Sequence, residues 1–304
     1  MLSPLDNSKL FPIALGGAAI GSDEKNTFFG RTISEITAVE TVMFALNRGI
    51  NLIDTSPFYG SSEKRIGIAI KKWNNRKTFI LSTKVGTHPQ FKGYSAEAFK
   101  KSIDVSLKTL GTDYLDIVHI HDPTTADLSE ALAKGGGMET LLKMKEEKII
   151  RYIGLGVRNL SLHLTFIRSG FADVILPYLD YNLLRTNAKK LINEAHKKNI
   201  AVLLGSPLCM GLLSGRNPAT ITVPHYDLFN NVSISDAIRL YEWCQKKNIN
   251  VMALNYAFIF SNPGVTCAVA GASSPAEVEE NLKAYNESCS QEIVESFFNE
   301  LQPS

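Results

Sequence analysis

No uninterrupted apolar run in the 304 residues approaches the roughly 18 needed to cross a bilayer as a helix. A membrane partner is therefore not expected. Cysteine is scarce: only Cys209, Cys244, Cys267 and Cys289 occur. They form no C-x-x-C pair and no zinc-ligand spacing. Reduced thiols in a cytoplasm are expected rather than disulfides, and no metal. An excess of one charge sign is also missing. Lys and Arg total 32 against 30 Asp and Glu, for a net charge of +2, which speaks against nucleic acid or an anionic surface as partner. Met1-Leu2-Ser3-Pro4-Leu5-Asp6 does not read as a signal peptide. Low-complexity stretches and linkers are absent too, so residues 1–304 read as one domain, a monomer or small homo-oligomer.

What is present is alternation. Short apolar runs read as buried parallel strands near Phe11–Leu15, Asn51–Asp54, Thr78–Lys84, Leu115–Ile120, Tyr152–Gly156, Val174–Leu176, Ala201–Leu204 and Val265–Val269. Amphipathic helices fall between them near Ile36–Asn47, Ser62–Trp73, Ala96–Leu110, Gly137–Glu147, Leu160–Arg168, Thr186–Lys198 and Ser233–Lys246. Two more follow at Pro275–Tyr285 and Gln291–Leu301. Asn248–Leu254 mimics a strand, but the apolar run continues to Phe260 and is too long for one. It reads as a buried helix. Arg48-Gly49 and Lys197-Lys198-Asn199 look like helix ends, with cations and a left-handed cap.

Eight such units predict an α/β fold, a (β/α)8 TIM barrel with an extra C-terminal helix. The rival, a doubly wound sheet, carries a Gly-rich turn between its first strand and helix. Gly16-Gly17-Ala18-Ala19-Ile20-Gly21 resembles that turn only loosely and no helix pattern follows. Gly21–Ser34 reads instead as a mobile loop over the barrel rim.

Three early runs end in ionisable residues: Asp54, with Tyr59 five positions on, then Lys84, then His121. A charge at the carboxyl end of a barrel strand faces the catalytic mouth. Singly, these read as a turn Asp, a solvated Lys and a core His. Jointly, in order at successive strand ends, they point to one rim. His119 and His121 are read as facing alternate ways, so that one points to the centre. His121, nearer the carboxyl end and followed by Asp122-Pro123, is preferred. A free tyrosine has a pKa of about 10. Lys84 is expected to lower that of Tyr59, with Asp54 holding Lys84 and His121 orienting a substrate oxygen. Such a set suits proton transfer coupled to hydride transfer, which needs a redox cofactor.

The segments Asn51–Gly60 with Ser62-Glu63, Ser82–Gly86, and His119–Pro123 resemble the signatures of the aldo-keto reductase superfamily. Ile153–Asn159, Ser206-Pro207-Leu208, and Ala270–Ser274 through Glu280-Asn281 extend the resemblance over essentially the whole chain. It implies a nicotinamide cofactor extended across the rim and the tetrad Asp54, Tyr59, Lys84 and His121, with Tyr59 as general acid/base. It also implies cofactor contacts at Gly16, Arg158, Asn159, Tyr178, Ser206, Leu208, Gly271, Ser273, Glu277, Glu280 and Asn281. Three positions depart from the family pattern. Arg158 stands where many members have Ser, Tyr178 where many have Gln, and Gly205 where an aromatic often stacks on the nicotinamide. NADPH-specific relatives carry Lys-Ser and then Arg where this chain has Gly271-Ala272 and Glu277. A glutamate repels a 2′-phosphate but accepts from a ribose hydroxyl, so NAD is expected over NADP. The other reading of Glu277 is a first-turn helix acid after Ser274-Pro275.

Asp122 after the histidine resembles the L-fucose, L-galactose and D-threo-aldose 1-dehydrogenase branch. Asp122 is expected to bind a sugar hydroxyl, with a plain turn before Pro123 as the alternative. Phe58, with Phe28 or Phe29, is expected to floor the substrate pocket. The expected reaction is NAD-linked oxidation of an aldose at C1 to its lactone. The alternatives are oxidation of pyridoxal as its hemiacetal, NADPH-dependent reduction of small aldehydes and ketones, and a non-catalytic nucleotide-sensing subunit.

Overall fold

The structure, a computed structural model, describes residues 9–25, 32–221, 234–287 and 289–301. Phe28, Phe29 and part of the Gly21–Ser34 loop lie outside the described residues. Eight parallel strands close a barrel in sequence order. They are β1 (Ile13–Gly16), β2 (Leu52–Asp54), β3 (Ile80–Val85), β4 (Leu115–His121), β5 (Ile150–Gly156), β6 (Val174–Leu176), β7 (Ala201–Gly205) and β8 (Cys267–Gly271). One helix follows each of the first three: α1 (Glu35–Asn47), α2 (Ser62–Trp73) and α3 (Ala96–Leu110). Then come α4 (Thr125–Leu132), α5 (Gly137–Glu146), α6 (Leu160–Arg168), α7 (Lys189–Lys197), α8 (Ile234–Lys247) and α9 (Val251–Phe260). α10 (Pro275–Asn286) and α11 (Gln291–Leu301) follow β8.

The barrel is the fold expected from the alternation, and α11 is the expected additional helix. Strand runs are continuously apolar because both faces are covered, and all seven residues of β4 are buried. The expected left-handed helix ends are present at Gly49 (φ 89°) and Asn199 (φ 56°). Several bounds differ from expectation. β3 starts at Ile80, because Arg76–Thr78 forms a 3₁₀ turn. β8 begins at Cys267 and not Val265. Val251–Phe260 is a helix, capped by Asn250 Oδ1, which accepts from Met252 N at 3.0 Å. The sequence reading missed α4. Its signal was a capping box in which Thr124 Oγ1 accepts from Asp127 N and Asp127 Oδ2 accepts from Thr124 N.

Strand periodicity sorts the interior into layers. Leu52, Ile117, Val174, Ala201, Leu203 and Cys267 belong to an apolar cluster within the barrel. Two residues further along the strands, inward positions carry Asp54 and His119. Register aligns Asp54 with Ser82, Lys84 with His119, and His121 with Gly156. An apolar plug therefore supports a polar cluster at the carboxyl end of the strands.

Candidate active site

Asp54 ends β2, Lys84 is the last inward residue of β3, and His121 ends β4. The three strand ends thus deliver three ionisable groups to one rim. Lys84 Nζ donates to Asp54 Oδ2 at 2.5 Å and to Thr55 O at 2.7 Å. Ser82 Oγ donates to the other carboxylate oxygen, Oδ1, at 2.7 Å. Both members of the ion pair are buried, Lys84 at 1% side-chain exposure and Asp54 at 5%. Tyr59 lies in the loop between β2 and α2. Its ring sits 4.9 Å from Lys84 Nζ and edge-on to His121, centroid to centroid 5.8 Å. The loop is fixed from below. Thr55 Oγ1 donates to Ser62 Oγ, which donates to Gly17 O, each at 2.8 Å. Gly21 packs so tightly on it that a Cβ there would lie 1.7 Å from Tyr59 O. The structure therefore brings Asp54, Tyr59, Lys84 and His121 together.

Two expectations about this cluster are corrected. His119 and His121 both point into the barrel, as residues two apart on a strand must. His119 lies one layer deeper, where Gly154 leaves room for it. A Cβ on residue 154 would fall 2.3 Å from His119 Nδ1. Among the described residues neither His119 ring nitrogen has a hydrogen-bond partner, and burial drives its pKa far down. The second correction concerns Tyr59. Its pKa is raised well above the ordinary value, not lowered. Desolvation is the main cause, followed by the negative charges of Asp54 and Asp122. Tyr59 therefore stays protonated across neutral pH. Desolvation and then Lys84 push His121 well below its usual value, which keeps the imidazole neutral.

Three contacts of His121 escaped the sequence reading, two of them from residues outside the motifs. Thr87 Oγ1 sits 2.5 Å from Nδ1, Tyr94 Oη donates to the backbone carbonyl at 2.7 Å, and Ser56 Oγ is 3.5 Å from Nδ1. Thr87 follows Gly86 (φ 102°). That turn was the available signal, but a turn does not say which way the next hydroxyl points.

Phe58 stands at the mouth, 52% exposed, its ring centroid 6.1 Å from that of His121. Asp122 adopts φ 41°. Its amide donates to Gly156 O at 2.8 Å, and its Oδ2 lies 3.4 Å from His121 Nε2. Burial raises the Asp122 pKa while a hydrogen bond from Tyr178 opposes the rise.

Beside the cluster a groove of ≈ 180 Å³ opens along the ends of β7 and β8. Ser206, Leu208, Gly271, Ser273, Glu277, Glu280 and Asn281 line it, all expected from the sequence. Gly16 pairs with Gly271 at the adjoining strand ends. Glu277 Oε2 accepts from Ser273 N at 2.8 Å and Ser273 Oγ at 2.9 Å. Glu277 is also the first-turn acid of α10, next to its Ser274 cap. The two readings of this residue are thus compatible. Asn281 Oδ1 accepts from buried Tyr256 Oη. Arg216 also lines the groove, with Nη2 3.6 Å from Glu277 Oε1. It sits in the long segment after β7, where no periodic pattern marked it.

Three expected cofactor contacts have partners within the protein. Asn159 Oδ1 caps α6, accepting from Ser161 N and Oγ at 3.0 and 2.7 Å. Arg158 Nε lies 3.5 Å from Asp180 Oδ2. Tyr178 reaches across the mouth to Asp122. No cluster of three or more His, Cys, Asp or Glu suited to a metal occurs among the described residues. None of the described helices is long and apolar enough to cross a membrane.

The chain matches the Aldo/keto reductase family model over residues 12–298. It is 32% identical over 292 residues to L-galactose dehydrogenase of Arabidopsis thaliana, covering 94% of this chain and 88% of that one. Over 298 residues it is 25% identical to D-threo-aldose 1-dehydrogenase of a Pseudomonas species, with 89% of each covered. NADH-specific methylglyoxal reductase of Escherichia coli is 28% identical over 280 residues, with 82% of each covered. Among solved structures, a glycerol dehydrogenase from Gluconobacter oxydans superposes with a TM-score of 0.76 at 25% identity, covering 97% of this chain and 93% of that one. A family match that runs through all eight strands, together with aldose- and aldehyde-acting relatives of similar length, places this chain in the aldo/keto reductase family as an oxidoreductase of CH–OH or aldehyde groups.

Proposed function

We propose that the chain is an NAD-preferring dehydrogenase that oxidises an aldose at C1 to its lactone. The observation that carries the reading is the buried Asp54–Lys84 pair set against Tyr59 and neutral His121 at one rim. The groove fits a dinucleotide in shape and chemistry. It lies along the ends of β7 and β8, offers hydroxyl, amide and carboxylate groups, and has open space where a side chain on Gly271 would stand. Ser206, Leu208, Ser273, Glu277 and Arg216 are the residues that would hold it. When bound, a nicotinamide supplies the two-electron acceptor or donor that no side chain provides.

In oxidation Tyr59 takes the proton of the anomeric hydroxyl, and in reduction it returns one to the carbonyl oxygen. The tautomer this reaction needs carries its proton on Nε2, directed at the substrate oxygen, with Nδ1 paired to the Thr87 hydroxyl. Asp54 fixes Lys84, and Asp122 offers an acceptor to a neighbouring hydroxyl. The Glu277 carboxylate beside the groove supports NAD. It repels a 2′-phosphate and accepts from a ribose hydroxyl. The activities of the Arabidopsis and Pseudomonas relatives support an aldose.

A second reading is reduction of small aldehydes. The protonated state of Tyr59 favours it, since a phenol is the form that donates. The deciding experiment follows initial rates with NAD and NADP over L-galactose, L-fucose and D-arabinose, beside NADH and NADPH with methylglyoxal. The expected outcome is NAD-dependent turnover of one aldose, lost by at least 10²-fold in Tyr59→Phe. No turnover of any aldose, with oxidation of NADPH by methylglyoxal, would overturn both the aldose and the NAD assignments.

A further inference from the structure

Tyr178 stands two residues beyond β6, at an inward position, and its backbone prolongs the β6–β7 ladder. Leu179 N donates to Gly205 O at 3.1 Å and Gly205 N to Pro177 O at 3.0 Å. Opposite Tyr178 is Gly205, where a Cβ would lie 2.8 Å from Tyr178 Cβ. The missing side chain at 205 therefore leaves the path that Tyr178 takes over the mouth. That path ends in a hydrogen bond from Tyr178 Oη to Asp122 Oδ1 at 3.0 Å, across 56 positions of sequence. Asp122 is held from its other side by its own amide on Gly156 O. Its second oxygen, Oδ2, is left 3.4 Å from His121 Nε2.

We infer that Tyr178 is a positioning residue for substrate, holding Asp122 so that Oδ2 accepts a hydroxyl on the carbon next to the reacting carbonyl or carbinol. The inference rests on the reaction proposed above and adds a substrate class, α-hydroxy aldehydes and their cyclic aldose forms. A carboxylate only accepts hydrogen bonds. An aldehyde without an adjacent hydroxyl has nothing to give it and leaves the carboxylate, 41% exposed, to water. A substrate with that hydroxyl satisfies the carboxylate and is registered against His121 at the same time. The hydroxylated substrate gains a charge-assisted hydrogen bond that the analogue lacking the hydroxyl does not make. The Tyr178 hydrogen bond fits this role, because it opposes the desolvation that raises the Asp122 pKa and so favours the carboxylate.

The test compares glyceraldehyde with propionaldehyde, which lacks its hydroxyls, in NADH-dependent reduction by wild type, Tyr178→Phe and Asp122→Asn. NADH dissociation constants are measured in parallel by quenching of protein fluorescence. In the wild type, glyceraldehyde has the higher kcat/KM. In Tyr178→Phe the glyceraldehyde-to-propionaldehyde ratio falls about 10- to 100-fold, the change residing in KM. The NADH dissociation constant stays within about twofold, and Asp122→Asn reproduces the lost preference. A ratio unchanged in Tyr178→Phe overturns the inference, as does a fall caused only by weaker NADH binding. Aldose oxidation by the wild type tests the parent reaction separately. If that oxidation is present and the ratio unmoved, only the role of Tyr178 fails. If it is absent, the parent reading fails and the aldehyde ratio still decides whether Tyr178 positions Asp122.

Discussion

The state of one proton on Tyr59 sets the pH behaviour of both reaction directions. Desolvation, Asp54 and Asp122 hold the phenol protonated, so the phenolate is the minor species near neutrality. Oxidation draws on the phenolate and gains about tenfold in kcat/KM per pH unit, with no plateau below about pH 10. Reduction draws on the phenol and stays flat over the same range. His121 has a depressed pKa and is already neutral at the ordinary histidine value of about 6.5, so reduction has no acid limb there. Profiles of kcat/KM in both directions check this. An oxidation plateau below about pH 8 would show that Lys84 acidifies Tyr59 once the groove is filled. Asp54, Lys84 and His121 were legible because each combined a strand end with an ionisable side chain, and Tyr59 through its place five residues after Asp54. Thr87 and Tyr94 were not. Their contacts to His121 depend on where a loop turns, and hydroxyl-bearing residues in loops are too common to single out.

At the level of elements, the amino-terminal end of the barrel is tied by one residue of β4. Asp116, 1% exposed, accepts from Arg76 at 2.6 Å, Leu81 N at 2.9 Å and Arg151 at 2.8 Å. These contacts join β3, β4 and β5 far from the mouth. Replacing Asp116 by Ala leaves the Leu81 amide without its acceptor and removes the carboxylate from Arg76, which keeps Thr112, Phe79 O and Tyr114 O, and costs about 1–3 kcal/mol. The expected outcome is a marked fall in Tm with kcat per folded molecule preserved. A large loss of kcat at an unchanged Tm would contradict it. Strands were legible in the sequence because burial on both faces makes them unbroken apolar runs. α4 was not, since a short helix carries few turns of periodicity and its capping box stands inside a polar stretch. α9 nearly passed for a strand because burial all round leaves it no polar face to reveal its period.

For the molecule as a whole, topology was readable and the long connections were not. Eight strand–helix units in order leave a closed barrel as the economical arrangement, and a barrel places strand ends on one rim whatever the loops do. Arg216 and the reach of Tyr178 over the mouth depend on loop paths that side-chain pattern does not encode. The charges of the cluster also have an arrangement with a physical consequence. Lys84 and Asp54 pair at 2.5 Å, out of reach of solvent ions, and His121 and Tyr59 are neutral. Arg216, half exposed, meets Glu277 at the open groove. Dissolved salt screens the second pair and not the first. Raising ionic strength from about 0.01 to 1 M, where the Debye length shrinks from about 30 to 3 Å, should therefore shift the dissociation constant of the dinucleotide and leave its turnover rate nearly constant. Ionic strength would then separate, in one titration, the part of the molecule that holds the cofactor from the part that moves the proton.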